Sequence, residues 1–132
     1  MVGAGCAVTA SSDARAHLRK AQEFLLAAQV GLNGGLYDAA TSAAVIAGIN
    51  AKDALCLALT GRTGKSENHQ QALAELGAAG AAARPLVSPL SRLLALKSRA
   101  QYQSASITPA SAAKAVDWAE KIVTAVREQV SG

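Results

Sequence analysis

The chain has 132 residues and a mass of 13.3 kDa, enough for one domain. Hydrophobic residues make up 51% of it, aromatics only 3%, and 32 residues are alanine, so the core must be built from small side chains packed closely, as helices allow. The 17% of charged residues and 3 prolines exclude disordered and collagen-like classes, the scarcity of β-branched and aromatic residues argues against a sandwich or barrel, and the net charge of +4 is mild.

The first eleven residues, rich in Gly and Ala, read as a flexible N-terminal tail, and residues 12–132 as a single domain. Ser11 or Ser12 offers a helix cap, with Asp13 favourable at the positive end that follows. Ala14, Leu18, Ala21, Leu25, Ala28 and Leu32 then recur in alternating steps of four and three, which is one helical face. Gly34-Gly35 stops this first helix, expected at about 13–33. The second is expected from Leu36 to Leu59, where Ala40, Ala44, Ala47, Ala51, Ala54 and Ala58 form a stripe that lets two helix backbones approach. Its other faces carry Val45, Ile46, Ile49, Leu55, Leu57 and Leu59, so it belongs at the centre of the domain. Gly61 ends it.

A loop over Arg62–Lys65 leads to Ser66, a good cap for a short third helix that fades at Gly77–Gly80. Ser88-Pro89 and Thr108-Pro109 each combine a cap with proline at the first helical position. They predict a fourth helix over about 89–102, with Leu90, Leu93, Leu94 and Leu96 inward. They also predict a fifth with the stripe Val116, Ala119, Val123, Val126 and Val130. Asp117 and Lys121 pair outside, and Trp118 packs with the stem of Lys114. The architecture expected is an all-α, antiparallel up-and-down bundle of four to five helices.

No run approaches about 18 consecutive apolar residues, so no membrane contact is expected. Met1–Ala10 lacks the basic start and apolar stretch of a signal peptide, and the expected location is the cytoplasm. Cys6 and Cys56 are too few for a structural zinc site and read as free thiols, so no metal or other cofactor is expected. Between Lys52 and Tyr102 seven Lys or Arg face three acids, which accounts for the whole charge imbalance. A patch of that kind suits a phosphate-bearing partner such as RNA.

Two constellations sit in this basic stretch. Gly61-Arg62-Thr63-Gly64-Lys65-Ser66 ends like a phosphate-cradling loop, but Leu59 stands where the motif needs glycine, and a helix precedes it instead of a strand. The second is Arg62 and His69, with six residues between them. A neutral imidazole can take a proton from a hydroxyl, and a guanidinium can bind a phosphate through two hydrogen bonds. Together they suit metal-free RNA cleavage, in which the 2′-hydroxyl attacks its own phosphate. The competing reading makes His69 a core residue in line with Leu73 and Leu76, and Arg62 a counter-charge for the end of the second helix.

An Ala-rich bundle that reads R-x6-H across a loop into a short third helix resembles the HEPN superfamily (higher eukaryotes and prokaryotes nucleotide-binding). The resemblance covers about residues 13–130. It rests on the helix order, on GLYDAATSAAVIAGINAKDAL in the second helix, on GRTGKSENH, and on LKSRAQYQ closing the fourth. It implies a homodimer in which two such motifs face each other across a cleft. It further implies either a metal-independent endoribonuclease, often a toxin neutralised by a nucleotidyltransferase-type antitoxin, or a non-catalytic module that binds a partner protein or a nucleotide. Arg62 and His69 match the signature. Thr63 stands where the family often has Asn, Asp or His. Gln71 stands where several toxins carry a tyrosine that an antitoxin modifies.

Other candidates surround the motif. Lys65 is a phosphate-binding candidate or a solvated loop lysine. Arg99 and Tyr102 offer RNA a phosphate contact and a ring to stack on, or else Tyr102 packs on the bundle. Asn50 and Asp53, with Lys52, interrupt an apolar helix. They orient Arg62 or His69, line a dimer contact, or form a solvated strip. Val45, Ile49 and Cys56 beside them make an apolar line suited to a second copy.

Overall fold

Alanine sets the spacing of the first two helices. In the computed structural model, which describes residues 4–64 and 68–130 and leaves the side chains of 4–11 and of Tyr102 outside that description, α1 (Ala4–Asn33) and α2 (Tyr37–Thr60) form the most extensive helix pair. Ala14, Ala21 and Ala28 of α1 and Ala40, Ala44, Ala47, Ala51 and Ala54 of α2 are fully buried. Where a methyl is the largest group on facing surfaces, the backbones come close. A Cβ on Gly31 would lie 3.3 Å from that of Ala40.

α1 begins at Ala4, well ahead of the expected start near Asp13. Ala4, Ala7 and Ala10 are strong helix formers, and serine inside an exposed helix costs little, so Ser11 and Ser12 do not cap. The other end of α2 is closed by Gly61, whose φ of 75° is left-handed and whose N–H donates to the Leu57 carbonyl.

α3 spans His69–Ala78 and is capped by Asn68, while Ser66, the expected cap, lies outside the described residues. The Asn68 Oδ1 accepts the N–H groups of Gln70 at 2.9 Å and Gln71 at 3.2 Å. A 3-10 turn, Arg84–Leu86, feeds α4 (Val87–Tyr102), which starts before the Ser88-Pro89 signal. Pro89 sits in its first turn, where no intrahelical partner for an N–H exists. α5 (Pro109–Val130) starts where expected, with the Thr108 hydroxyl accepting the Ser111 N–H at 3.1 Å.

α2 packs against all four other helices, which makes it the axis of the bundle. Gly48 admits α4, since a Cβ there would lie 2.8 Å from Leu93 Cδ1. Leu90, Leu93, Ile122 and Val126 fill the space that α4 and α5 enclose with it. The connection between those two helices is pinned by the Ile107 N–H, which donates to Asp38 Oδ1 at 2.7 Å. Among the described residues there is no strand.

One further expectation changes. Val45 and Cys56, expected to face a second copy, are buried in the chain's own core because α2 is covered on that side by its neighbours. The ring of Trp118 takes the guanidinium of Arg92, 5.9 Å from its centroid, as partner from the facing helix. By length and composition α2 is also apolar enough to cross a membrane, yet half of its apolar window is buried inside the bundle and it carries Asn50, Lys52 and Asp53. That is the pattern of a core helix.

Candidate functional site

A buried lysine organises the end of α2. Lys52 projects from an apolar helix and is 2% exposed. A charge there must be paired and hydrogen-bonded. Its ammonium donates to Asp53 Oδ1 at 3.2 Å, to Thr63 Oγ1 at 3.1 Å and to Glu75 Oε1 at 3.3 Å, which uses all three of its hydrogens. The Thr63 hydroxyl in turn donates to Asp53 Oδ1 at 2.6 Å. Glu75, on α3, uses its second oxygen to accept the Gly64 N–H at 2.7 Å. This clasp ties the loop after α2 to both α2 and α3. A Cβ at position 64 would meet the Glu75 carboxylate, so a side chain there would push that group out of the clasp.

The loop held this way presents Arg62 outward. Its backbone N–H donates to the Thr60 hydroxyl, which itself donates to the Cys56 carbonyl at 2.7 Å. The Arg62 side chain is exposed, and its guanidinium has no partner among the described residues. On one side Arg62 lines a cleft of about 410 Å³ with Cys56, Thr60 and Glu75. On the other it lines one of about 540 Å³ with Asp13, His17 and Leu57. His69, half-buried at the first position of α3, lines a third cleft of about 260 Å³, shared with Ile49, Lys52, Asp53 and Lys97. Gly64 borders both the His69 cleft and the first Arg62 cleft.

Burial pushes the Cys56 thiol above its ordinary value, and the nearby Lys52 ammonium pulls it back only in part. The thiol is therefore protonated at neutral pH and a poor nucleophile. Among the described residues, no group of three or more His, Cys, Asp or Glu gathers in a way that would hold a metal ion.

A HEPN domain profile matches residues 14–129, nearly the whole chain. The chain belongs to the HEPN family. Comparison with curated proteins gives no match. Family membership is consistent with a role directed at nucleotides or RNA.

Within this HEPN bundle the sequence candidates separate into groups. Arg62 and His69 lie on adjoining clefts and share none. Asp53 and Thr63 belong to the clasp. Asn50 is turned toward α1, where its Oδ1 lies 3.1 Å from His17 Nδ1. Arg99 is exposed in the last turn of α4. Lys65 and the Tyr102 side chain lie outside the described residues.

Sequence reasoning missed His17, Glu75 and Lys97. A signal existed for Glu75: a lysine amid Ile49, Leu55 and Cys56 on a helix that apolar demands a distant carboxylate. Nothing in the sequence links His17 to Asn50, thirty-three positions away.

Proposed function

We propose that the protein is a metal-independent endoribonuclease of toxin or stress-response type, working in the cytoplasm as a homodimer through Arg62 and His69. The observation that carries this reading is the exposed Arg62 guanidinium, without a partner among the described residues, on a loop fastened from beneath by Lys52, Asp53, Thr63 and Glu75. A guanidinium held out on a rigid loop is ready to take a phosphate without reorganising.

In the reaction, His69 takes the proton of a ribose 2′-hydroxyl, and the 2′-oxygen forms a bond to the adjacent phosphorus. The bond to the 5′-oxygen breaks, and that oxygen leaves with the electron pair and a proton from water. Arg62 neutralises the charge on the non-bridging oxygens. Lys97, half-buried in the His69 cleft, adds a cation there. Arg99, Lys65 and Tyr102 extend the RNA contact. A second copy supplies the facing motif, so that an RNA strand meets Arg62 and His69 together. A nucleotidyltransferase-type antitoxin would be the neutralising partner, though with Gln71 in place of the tyrosine that several such toxins offer.

The rival reading is a non-catalytic HEPN module that binds a protein or nucleotide. It is favoured by the separation of Arg62 and His69 into different clefts of one chain. RNA cleavage in EDTA, wild type against a folded His69→Ala protein, separates the two. The enzyme reading predicts fragments ending in 2′,3′-cyclic phosphate that vanish in the variant. Intact transfer, ribosomal and messenger RNA after incubation with wild type would favour the binding module.

A further inference from the structure

The imidazole that shares a cleft with Arg62 in a single chain is His17, on α1. Its Nδ1 lies 3.1 Å from Asn50 Oδ1. The orientation of the Asn50 amide is set independently, because Nδ2 donates to the Ile46 carbonyl at 3.0 Å. Turning the amide over would place oxygen against oxygen at Ile46. Oδ1 therefore faces His17, and since it can only accept, Nδ1 must carry the proton. In the neutral ring the lone pair is then on Nε2, which has no partner among the described residues. The ring is half-buried and borders a cleft of about 540 Å³, whose charged groups are Asp13 and the Arg62 guanidinium.

We propose that His17 and Arg62 form a phosphodiester-binding site in which Asn50 fixes the His17 tautomer and leaves Nε2 for the ligand. The inference rests on the reading of the protein as RNA-directed, and it assigns Arg62 an imidazole partner within its own chain. In the neutral ring Nε2 accepts a hydrogen bond from the 2′-hydroxyl of the nucleotide on the 5′-oxygen side of the phosphate that Arg62 holds, not from the hydroxyl that His69 deprotonates. In the protonated ring the same nitrogen donates to a phosphate oxygen. Asn50 acts as a positioning residue, through His17.

The test follows the imidazole nitrogens of the full-length protein by 15N–1H NMR, with a short RNA whose 5′-bridging oxygens are replaced by methylene, a probe that keeps every 2′-hydroxyl and has no leaving group. In the free protein, the His17 signals should show the Nδ1–H tautomer, and Asn50→Ala should move the ring toward the Nε2–H form. Adding the probe should shift the His17 Nε2 resonance, and Arg62→Ala should abolish that shift. In parallel, His17→Gln should reduce cleavage of unmodified RNA roughly 100-fold if the protein cuts RNA. A His17 shift without any cleavage by wild type would defeat the ribonuclease reading and sustain this site. Failure of the probe to move His17, or a free-state Nε2–H tautomer, would overturn the inference whatever the cleavage assay gives.

Discussion

The layer between α1 and α2 and the far end of α2 use opposite means to reach the same rigidity. In the layer, buried alanines at regular steps hold the helices, and no single side chain is distinctive. At the end, one lysine, two carboxylates and one threonine hold a loop, and each of these four side chains has a named partner. The layer tolerates exchange of one small residue for another but not added volume. The clasp weakens when a charged member is lost, because buried Lys52 or the half-buried carboxylates are then left without a counterpart. The proposed function uses the second kind of region, where Arg62 gains a fixed backbone and its guanidinium has no partner among the described residues.

That contrast can be broken from either side. The largest effect is expected for Lys52→Met, which leaves Asp53 and Glu75 facing each other without a cation. Their side chains keep 16% and 29% exposure, so the loss belongs at the lower end for a buried pair, about 3 kcal/mol. Urea denaturation measures it, and adding Glu75→Gln to Lys52→Met should restore part of the loss. Ala47→Leu, in the alanine layer, inserts volume where the site is fully buried, and should cost about 2 kcal/mol by the same measurement. The smallest effect has the opposite sign. Thr41 is fully buried in α2, and its hydroxyl has no partner among the described residues. Thr41→Val removes a desolvated polar atom and should stabilise by about 1 kcal/mol, seen as a higher Tm. A loss of stability there would mean that the layer is not purely apolar in its requirements.

The layer was legible in the sequence because period and residue size suffice to define it. The four-three spacing of Ala40 to Ala54, the stop at Gly61 and the Thr108-Pro109 start all appear in the structure where the pattern puts them. The boundaries that moved are those where a cap nearer the helix is available, as Asn68 is for α3, or where alanine carries a helix past a serine, as at Ser12. The functional end was legible only in part. Arg62 and His69 stand out as residue types at a spacing, but the clefts they line depend on how α1, α3 and α4 close around α2. Lys52 looked like one of a polar strip, and its burial follows from Glu75 arriving on α3. His17 and Asn50 meet across the helix pair, and no local pattern predicts such a meeting.

The central claim is that Arg62 is the phosphate-binding residue of this HEPN protein. The most direct measurement is the salt dependence of binding to a fluorescein-labelled RNA, by anisotropy, for wild type and Arg62→Ala. The account predicts that the variant keeps the wild-type Tm, binds more weakly, and loses about one unit of slope in the plot of log affinity against log salt concentration. Identical affinity and slope for the two proteins would contradict it.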